Sequence, residues 1–123
     1  MIQVICPVCG AALAPQGAAW RCTQGHCFDV ARQGYVNLLT VTQKHSRHPG
    51  DTREMVAARR AFLDAGWYAP IAKTLADLVR RFCPEAASVL DAGCGEGYYL
   101  SQLGWVPERW GIDISRDAVR YAA

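Results

Sequence analysis

The sequence lacks a strong excess of charge of either sign. Its 13 basic residues are nearly balanced by 11 acidic ones, which gives a formal net charge of +2. A balance this even does not by itself indicate a nucleic-acid partner, so any basic binding face must be local. The sequence also lacks an apolar run of the roughly 18 residues needed to span a membrane. Its amino terminus has no secretion-signal pattern. We therefore expect no membrane partner and a cytoplasmic location.

Internal repeats and low-complexity tracts are absent as well. With 51% hydrophobic and 20% charged residues, the 123 residues have the composition of an ordinary folded domain. Six cysteines could form a disulfide framework. Because no secretion signal precedes them and two have C-x-x-C spacing, metal binding is the better interpretation.

Residues 1–30 contain the spacing C-x2-C-x12-C-x3-H, formed by Cys6, Cys9, Cys22 and His26. Two knuckles joined by a short hairpin can supply the tetrahedral ligand set that Zn²⁺ prefers. Cys27 is also within reach, but neighbouring side chains point in different directions, so only one of the pair should bind; we favour His26. Four protein ligands close the site, which predicts a structural zinc. Strands are expected at 20–21 and 28–30. Reduced core cysteines are the alternative.

The next segment joins an apolar stretch to a basic one. Gly34–Leu39 is expected to be a strand or a docking segment. Between Thr42 and Arg60, two acidic residues are outnumbered by five basic ones: Lys44, Arg47, Arg53, Arg59 and Arg60. Local basicity beside a zinc module suits contacts with a phosphate backbone. A solvated linker is the alternative interpretation.

Two helices are predicted after this basic segment. Asp51 and Glu54 have the spacing of a capping box, and Gly66 is placed to end the helix that follows. Pro70 suits the first turn of the second helix. That helix has apolar residues at a 3.6-residue period: Ile71, Leu75, Leu78, Val79 and Phe82. Tyr68, at the junction, is interpreted as a core anchor.

Residues 88–103 predict a strand, a tight glycine turn and a helix. Glycines at 93, 95 and 97 let a ligand approach the backbone closely. Their pattern, D-x-G-x-G-x-G, differs from the dinucleotide fingerprint G-x-G-x-x-G. The carboxylate of Asp91 would repel a pyrophosphate but suits the ammonium group of S-adenosylmethionine. A second strand at 110–114 places Asp113 at its end. The distance in sequence from Asp91 to Asp113 is close to the offset of about 20 residues at which an acid meets ribose hydroxyls in Rossmann-type sites. The alternative is a glycine turn with a buried structural aspartate.

A fourth helix is predicted from Ser115, as N-cap, to Tyr121. Two parallel strands alone leave open edges and an unburied face. We therefore expect the chain to be the first part of a longer enzyme, which folds poorly alone or pairs with another copy, and which is inactive by itself.

Several segments together resemble the bacterial 23S rRNA guanine-N1 methyltransferases (rRNA large subunit methyltransferase A), and the resemblance spans the whole chain. They are the zinc knuckles, Gln33–Leu39, His48–Asp51, Arg59–Gly66, Tyr68 and Asp91–Tyr99. The resemblance implies a zinc-binding domain that recognises 23S rRNA, a class I methyltransferase domain and a homodimer. It also assigns zinc to Cys6, Cys9, Cys22 and His26, and the cofactor to Tyr68 and Gly95–Glu96, which replaces the core interpretation of Tyr68.

The predicted architecture is therefore α/β, with a small zinc-ribbon-like domain followed by the truncated start of a class I, Rossmann-like methyltransferase domain. Its predicted parts are a zinc-binding domain (1–40), a basic linker with helices (41–84) and the incomplete methyltransferase domain (85–123). The cofactor residues are Tyr68, Asp91, Gly93, Gly95, Glu96, Gly97 and Asp113.

Catalysis would consist mainly of holding guanine N1 in line with the methyl donor. No residue of the sequence is identified as the base that removes the N1 proton. The alternative functions are an inactive zinc-dependent nucleic-acid-binding module and a methyltransferase for a small molecule or a protein.

Overall fold

The computed structural model describes residues 2–123, which pack as two units, Ile2–Pro49 and Gly50–Ala122. The division of the chain at residues 40 and 84 remains a prediction. Among the described residues, no helix combines the length and apolar character that crossing a membrane requires.

The first unit is a three-stranded antiparallel sheet in the order β1-β2-β3. The strands are β1 (Leu13–Gln16), β2 (Ala19–Cys22) and β3 (Cys27–Asp29). The two strands expected from the sequence are thus confirmed, although β3 ends one residue early. A buried cluster of Cys6, Leu13 and Cys22 lies at the centre of the unit, and Trp20 and Phe28 pack against it. The core is small, so the cysteine side chains are a large part of it.

Gly34–Leu39 is a docking segment and not a strand. Its one ladder contact is an isolated antiparallel bridge between Val30 and Val36. Leu38 packs against the buried cluster of the sheet. A short 3₁₀ turn, Val41–Gln43, follows. The residues from 41 to 48 are exposed, as the predicted basic segment requires.

The second unit begins with helices α1 (Arg53–Asp64) and α2 (Ala69–Phe82). The predicted N-cap of α1 was wrong: Thr52 caps the helix, and its hydroxyl accepts a hydrogen bond from the Met55 N–H at 3.3 Å. Asp51 instead forms an ion pair with Arg59. Both Asp and Thr are good cap residues, but the carboxylate of Asp51 is engaged with Arg59 on α1. The helix ends as predicted before Gly66, whose φ is +87°.

The remainder is a parallel pair of strands, β4 (Ser88–Ala92) and β5 (Glu108–Ile112), in register from Ser88 opposite Glu108. Helix α3 (Tyr98–Ser101) follows the glycine turn, and α4 (Arg116–Ala122) follows β5. The strand prediction for 88–92 is confirmed. The second strand begins two residues earlier than expected and ends at Ile112, so Asp113 lies just beyond its carboxyl end. The first helix after the glycines is also two residues shorter than predicted.

The apolar stripe of α2 is not buried within this chain. Ile71, Leu75, Leu78 and Phe82 are all exposed, and Leu90 and Ile112 on the sheet are exposed as well. The helix contributes only Ala72 to the buried residues of the unit, which otherwise come from α1, α4 and the loops beside the strands, among them Val56, Leu63, Val106 and Ala118. The helical period therefore predicted the helix correctly, but not its burial.

Candidate metal centre and cofactor site

Three cysteines and one histidine converge at the edge of the ribbon. One ligand atom from each of Cys6, Cys9, Cys22 and His26 lies within 4.8 Å of the others. The His26 Nδ1 atom is 3.4 Å from Cys22 Sγ and 3.6 Å from Cys6 Sγ, and Cys9 Sγ is 3.7 Å from Cys22 Sγ. Separations of this size suit donors that share one tetrahedral metal ion.

Cys27 lies outside this group. It is exposed, and it pairs with Arg21 across the β2–β3 ladder. Strand β3 begins at Cys27, whereas His26 lies before the strand and belongs to the knuckle. The structure thus brings together the same four residues that the spacing favoured.

The backbone around the knuckles favours ionised sulfur. Burial opposes the charged form of Cys6, but hydrogen bonds from the backbone at Val8 and Cys9 outweigh it and lower the pKa of the thiol. For Cys22, burial is likewise outweighed by backbone groups at His26 and Gln24, and its pKa is lowered. For Cys9, a backbone hydrogen bond at Ala11 lowers the pKa, but burial and the neighbouring Cys6 and Cys22 outweigh it and raise the pKa. Thiolate is the form that binds metal, and three sulfurs with one imidazole are a donor set that fits a closed structural zinc site.

The glycine turn lies at the carboxyl edge of the parallel strands. The N–H groups of Gly93 and Cys94 both donate to the Ile112 carbonyl, at 2.8 and 3.0 Å. All three glycines of the turn have positive φ, between 56° and 87°. This region is costly for residues with a Cβ, so the spacing of the glycines is explained by the path of the backbone as well as by room for a ligand.

Asp113 connects the end of β5 to the glycine turn. Its Oδ2 atom accepts a hydrogen bond from the Gly95 N–H at 2.9 Å, and its Oδ1 atom accepts one from the Ser115 N–H at 2.7 Å. An ionised carboxylate has about four acceptor positions, two on each oxygen. These two N–H groups account for one acceptor position on each oxygen of Asp113.

Asp91 lies one strand away, half-buried at the end of β4. Burial raises the pKa of its carboxyl group, and the nearby negative charge of Asp113 raises it further. Two carboxyl groups at one edge of the sheet form a locally acidic site. Such a site suits a cationic or hydroxyl-rich ligand and disfavours a phosphate.

Cys94, inside the turn, is a packing residue. It is buried, and burial with the charges of Asp113 and Asp91 raises the pKa of its thiol to about 11. A Cβ at Gly111 would lie 2.8 Å from the Cys94 sulfur. The absence of a side chain at 111 therefore makes room for this thiol, which is protonated at neutral pH and unsuited to act as a nucleophile.

The two remaining cofactor residues from the sequence prediction have different surroundings. Tyr68 lies at the start of α2, 42% exposed, with its ring edge-on to Phe62 at 4.9 Å between centroids. Glu96 is half-buried within the glycine turn itself. The turn therefore brings Glu96 beside Gly95 and Gly97, whereas the described ring contact of Tyr68 is with α1.

Three residues near the turn were not predicted as cofactor-site residues. Arg59 Nη1 lies 2.6 Å from Asp51 Oδ2, and a Cβ built on Gly95 would be 4.0 Å from the same nitrogen. Ser115 is buried and donates its hydroxyl hydrogen to the Asp51 carbonyl at 2.7 Å. Gly50 lies against the backbone of Ile114 and Ser115. The sequence carried only an indirect signal, since Arg59 and Asp51 occur in the segments that matched the family.

Comparisons with known proteins cover both the ribbon and the parallel-strand part of the chain. Residues 4–47 match the family described as "RlmA, N-terminal", a zinc ribbon. The chain is 45% identical to the 23S rRNA (guanine(748)-N(1))-methyltransferase of Streptomyces fradiae. It is 43% and 35% identical to proteins of Micromonospora griseorubida and Bacillus subtilis (strain 168) that are named provisionally as 23S rRNA (guanine-N(1)-)-methyltransferases.

Each of these matches covers 96% of the chain, but the chain spans less than half of the relatives' length, between 43% and 46%. The resemblance found in the motifs is confirmed, as are the zinc-ribbon-like first domain and the mixed α/β architecture. No comparison tests the individual cofactor and metal residues, which therefore remain predictions.

Proposed function

We propose that this chain is the amino-terminal portion of an S-adenosylmethionine-dependent methyltransferase that acts on guanine N1 of 23S rRNA. The observation that carries this proposal is the carboxylate of Asp113, which bonds to Gly95 at the carboxyl edge of two parallel strands. Ligands of open parallel α/β sheets bind at this edge. The similarity to named methyltransferases across 96% of the chain supports it.

The zinc ribbon would supply a rigid RNA-binding surface. Cys6, Cys9, Cys22 and His26 would hold a structural Zn²⁺, and the exposed Lys44 and Arg47 follow the ribbon in sequence. Basic residues attract RNA mainly through its phosphates. Because 23S rRNA is made and modified in the cytoplasm, we place the protein there; the homodimer implied by the resemblance finds no support in the comparisons.

The cofactor site would recognise both ends of S-adenosylmethionine. Asp113 keeps one acceptor position on each oxygen, which matches the two hydroxyls of a ribose diol. Asp91 would face the ammonium group, Gly93, Gly95 and Gly97 would leave room for the ligand with Glu96 beside it, and Tyr68 would cover it. When bound, the cofactor supplies an electrophilic methyl group. The base for guanine N1 is not assigned to any residue of this chain.

Calorimetric titration with S-adenosylmethionine tests the cofactor site. The chain should bind the cofactor, and Asp113→Asn should weaken binding by about 1.5–3 kcal/mol, the range for a hydrogen bond to a charged group. Asp117→Asn, at a half-buried acid two residues beyond Ser115, is the matched control and should leave the affinity unchanged. Equal affinities of the two variants would remove Asp113 from the site.

Binding to a 23S rRNA hairpin over a range of salt concentrations tests the RNA surface. Charge reversal of Lys44 and Arg47 should weaken binding and flatten the dependence on salt, because fewer counterions are released. Reversal of Lys73 and Arg81, two basic residues on α2, changes the net charge equally and is the control. An unchanged salt slope for the first pair would identify residues 42–48 as a solvated linker. Methyl transfer to 23S rRNA by the natural polypeptide that carries this chain tests the reaction itself.

A further inference from the structure

Three residues connect the segment before α1 to the turn after β5. Gly50 and Asp51 precede the helix, and Ser115 follows Asp113; we call these three residues the brace. Ser115 is 1% exposed. Its hydroxyl donates to the Asp51 carbonyl at 2.7 Å and accepts from the Ala118 N–H at 3.1 Å. The hydroxyl of Ser115 is therefore held from two sides, by Asp51 and by the first turn of α4.

There is no room for a side chain between Gly50 and this turn. A Cβ built on Gly50 would lie 2.8 Å from the Ser115 nitrogen, 2.9 Å from the Ser115 Cα and 2.9 Å from Cγ2 of Ile114. Two of these atoms belong to the backbone and cannot yield by rotation of a side chain. The residue also has a φ of +78°. Any larger residue at 50 must therefore displace the backbone N–H of Ser115.

Asp51 is itself fixed by a second contact. Its carboxylate pairs with Arg59 of α1 at 2.6 Å, and its side chain is 24% exposed. The carbonyl that receives Ser115 is thus attached to a residue anchored on a helix. The same guanidinium lies beside Gly95, at 4.0 Å from the position of a built Cβ.

The Ser115 N–H is also one of the two hydrogen-bond donors to Asp113. It binds Oδ1, while the Gly95 N–H binds Oδ2. A displacement of Ser115 would therefore rotate or release the carboxylate and change which acceptor positions face outward.

We propose that the brace positions Asp113, holding its carboxylate so that one acceptor position on each oxygen meets a vicinal diol. This role rests on the proposed cofactor site. Gly50 and Ser115 are positioning residues in this arrangement, since they act on the ligand only through Asp113. The ligand class is a ribonucleoside with both hydroxyls free.

The first test compares Gly50→Ala with Gly66→Ala in the full chain. Both glycines have positive φ, but a Cβ at Gly66 meets nothing within 4 Å. The backbone cost is thus matched, and only Gly50→Ala displaces Ser115. In Gly50→Ala, the amide NMR resonances of Gly95 and Ser115 should shift, and their hydrogen exchange should accelerate. In Gly66→Ala both amides should match the wild type.

The second test measures the diol. Affinities for S-adenosylmethionine and for its 2′-deoxy analogue are compared in wild type and Gly50→Ala. Wild type should lose about tenfold or more in affinity on removal of the hydroxyl, the factor for one charge-assisted hydrogen bond. Gly50→Ala should bind the cofactor more weakly than wild type does. It should also lose less affinity when the hydroxyl is removed, because the effects of two groups that act on the same hydrogen bond are not additive.

Ser115→Ala provides an independent variant, with Thr74→Ala as its control, because the Thr74 hydroxyl also donates to a backbone carbonyl but is exposed. Unchanged Gly95 and Ser115 amides in both Gly50→Ala and Ser115→Ala would overturn the brace. The brace would also be overturned if the amides shift but the variants lose as much affinity as wild type when the 2′-hydroxyl of the cofactor is removed. Failure of wild type to bind the cofactor would overturn the cofactor site instead, and the amide measurements would still decide whether the brace holds Asp113.

Discussion

The carboxyl group of Asp91 is half-buried, and both burial and the charge of Asp113 raise its pKa. The folded chain therefore holds this proton more tightly than the unfolded chain does. By linkage, the contribution of Asp91 to the free energy of unfolding falls as the pH rises from the ordinary value of 3.8 through the raised value. A negative charge retained at such a cost is typical of a binding site.

Asp91→Asn should consequently raise the free energy of unfolding of residues 50–122 at neutral pH. The gain should shrink as the pH falls toward 3.8, because the wild-type carboxyl is then protonated as well. Urea titrations followed on amide resonances of that unit measure the difference. Asp64→Asn, at an exposed acid, is the control. A gain that does not vary with pH would show that charge is not its cause.

Local patterns predicted single residues well where their partners are close in sequence. Ser115 caps α4 and Gly66 ends α1, as their positions indicated. Asp51 was assigned wrongly because its partners are distant: Arg59 lies on the helix and Ser115 is 64 residues away. The sequence offers no means of choosing between a cap and such a contact.

At the scale of elements, strand β4 occurs where the apolar run predicted it. The cysteine spacing likewise predicted which residues form the metal-binding knuckles. Gly34–Leu39 shows the limit of this approach. Its apolar residues were compatible with a strand or with docking, and only the position of the buried cluster beside Leu38 selects docking. The burial of α2 was not predictable either, since an amphipathic period does not reveal whether a partner is present.

The second knuckle gives a prediction at this scale. His26→Ala should weaken zinc binding strongly, whereas Cys27→Ser should leave it nearly unchanged, because Cys27 is exposed on β3 and lies outside the ligand group. Competition with a chromophoric chelator measures both affinities, and elemental analysis gives the stoichiometry. The reverse order of effects would make Cys27 the fourth ligand.

At the scale of the whole molecule, the two units differ in what stabilises them. The ribbon has few fully buried apolar side chains, and two of the three in its central cluster are cysteines. A core of this size rarely supports a fold without a metal. The second unit buries side chains from α1, α2 and α4 and from the segments beside its strands.

Removal of zinc should therefore unfold one unit only. A strong chelator should collapse the amide dispersion of residues 2–49, since the energy of metal binding is also folding energy. The resonances of residues 50–122 should stay dispersed. A two-dimensional NMR spectrum before and after chelation measures both. Loss of the second set would mean that the units fold as one.

The hydrogen bond between Ser115 and Asp51 also has a consequence for the order of synthesis. It spans 64 residues, so at about 5–20 residues per second the ribosome makes Asp51 roughly 3–13 s before its partner exists. The cysteines and the histidine of the candidate metal centre are all translated earlier, and the ribbon can mature while the second unit is still growing. The nascent chain thus acquires its zinc ribbon first, and the carboxyl edge of its parallel strands is completed only when Ser115 emerges from the exit tunnel.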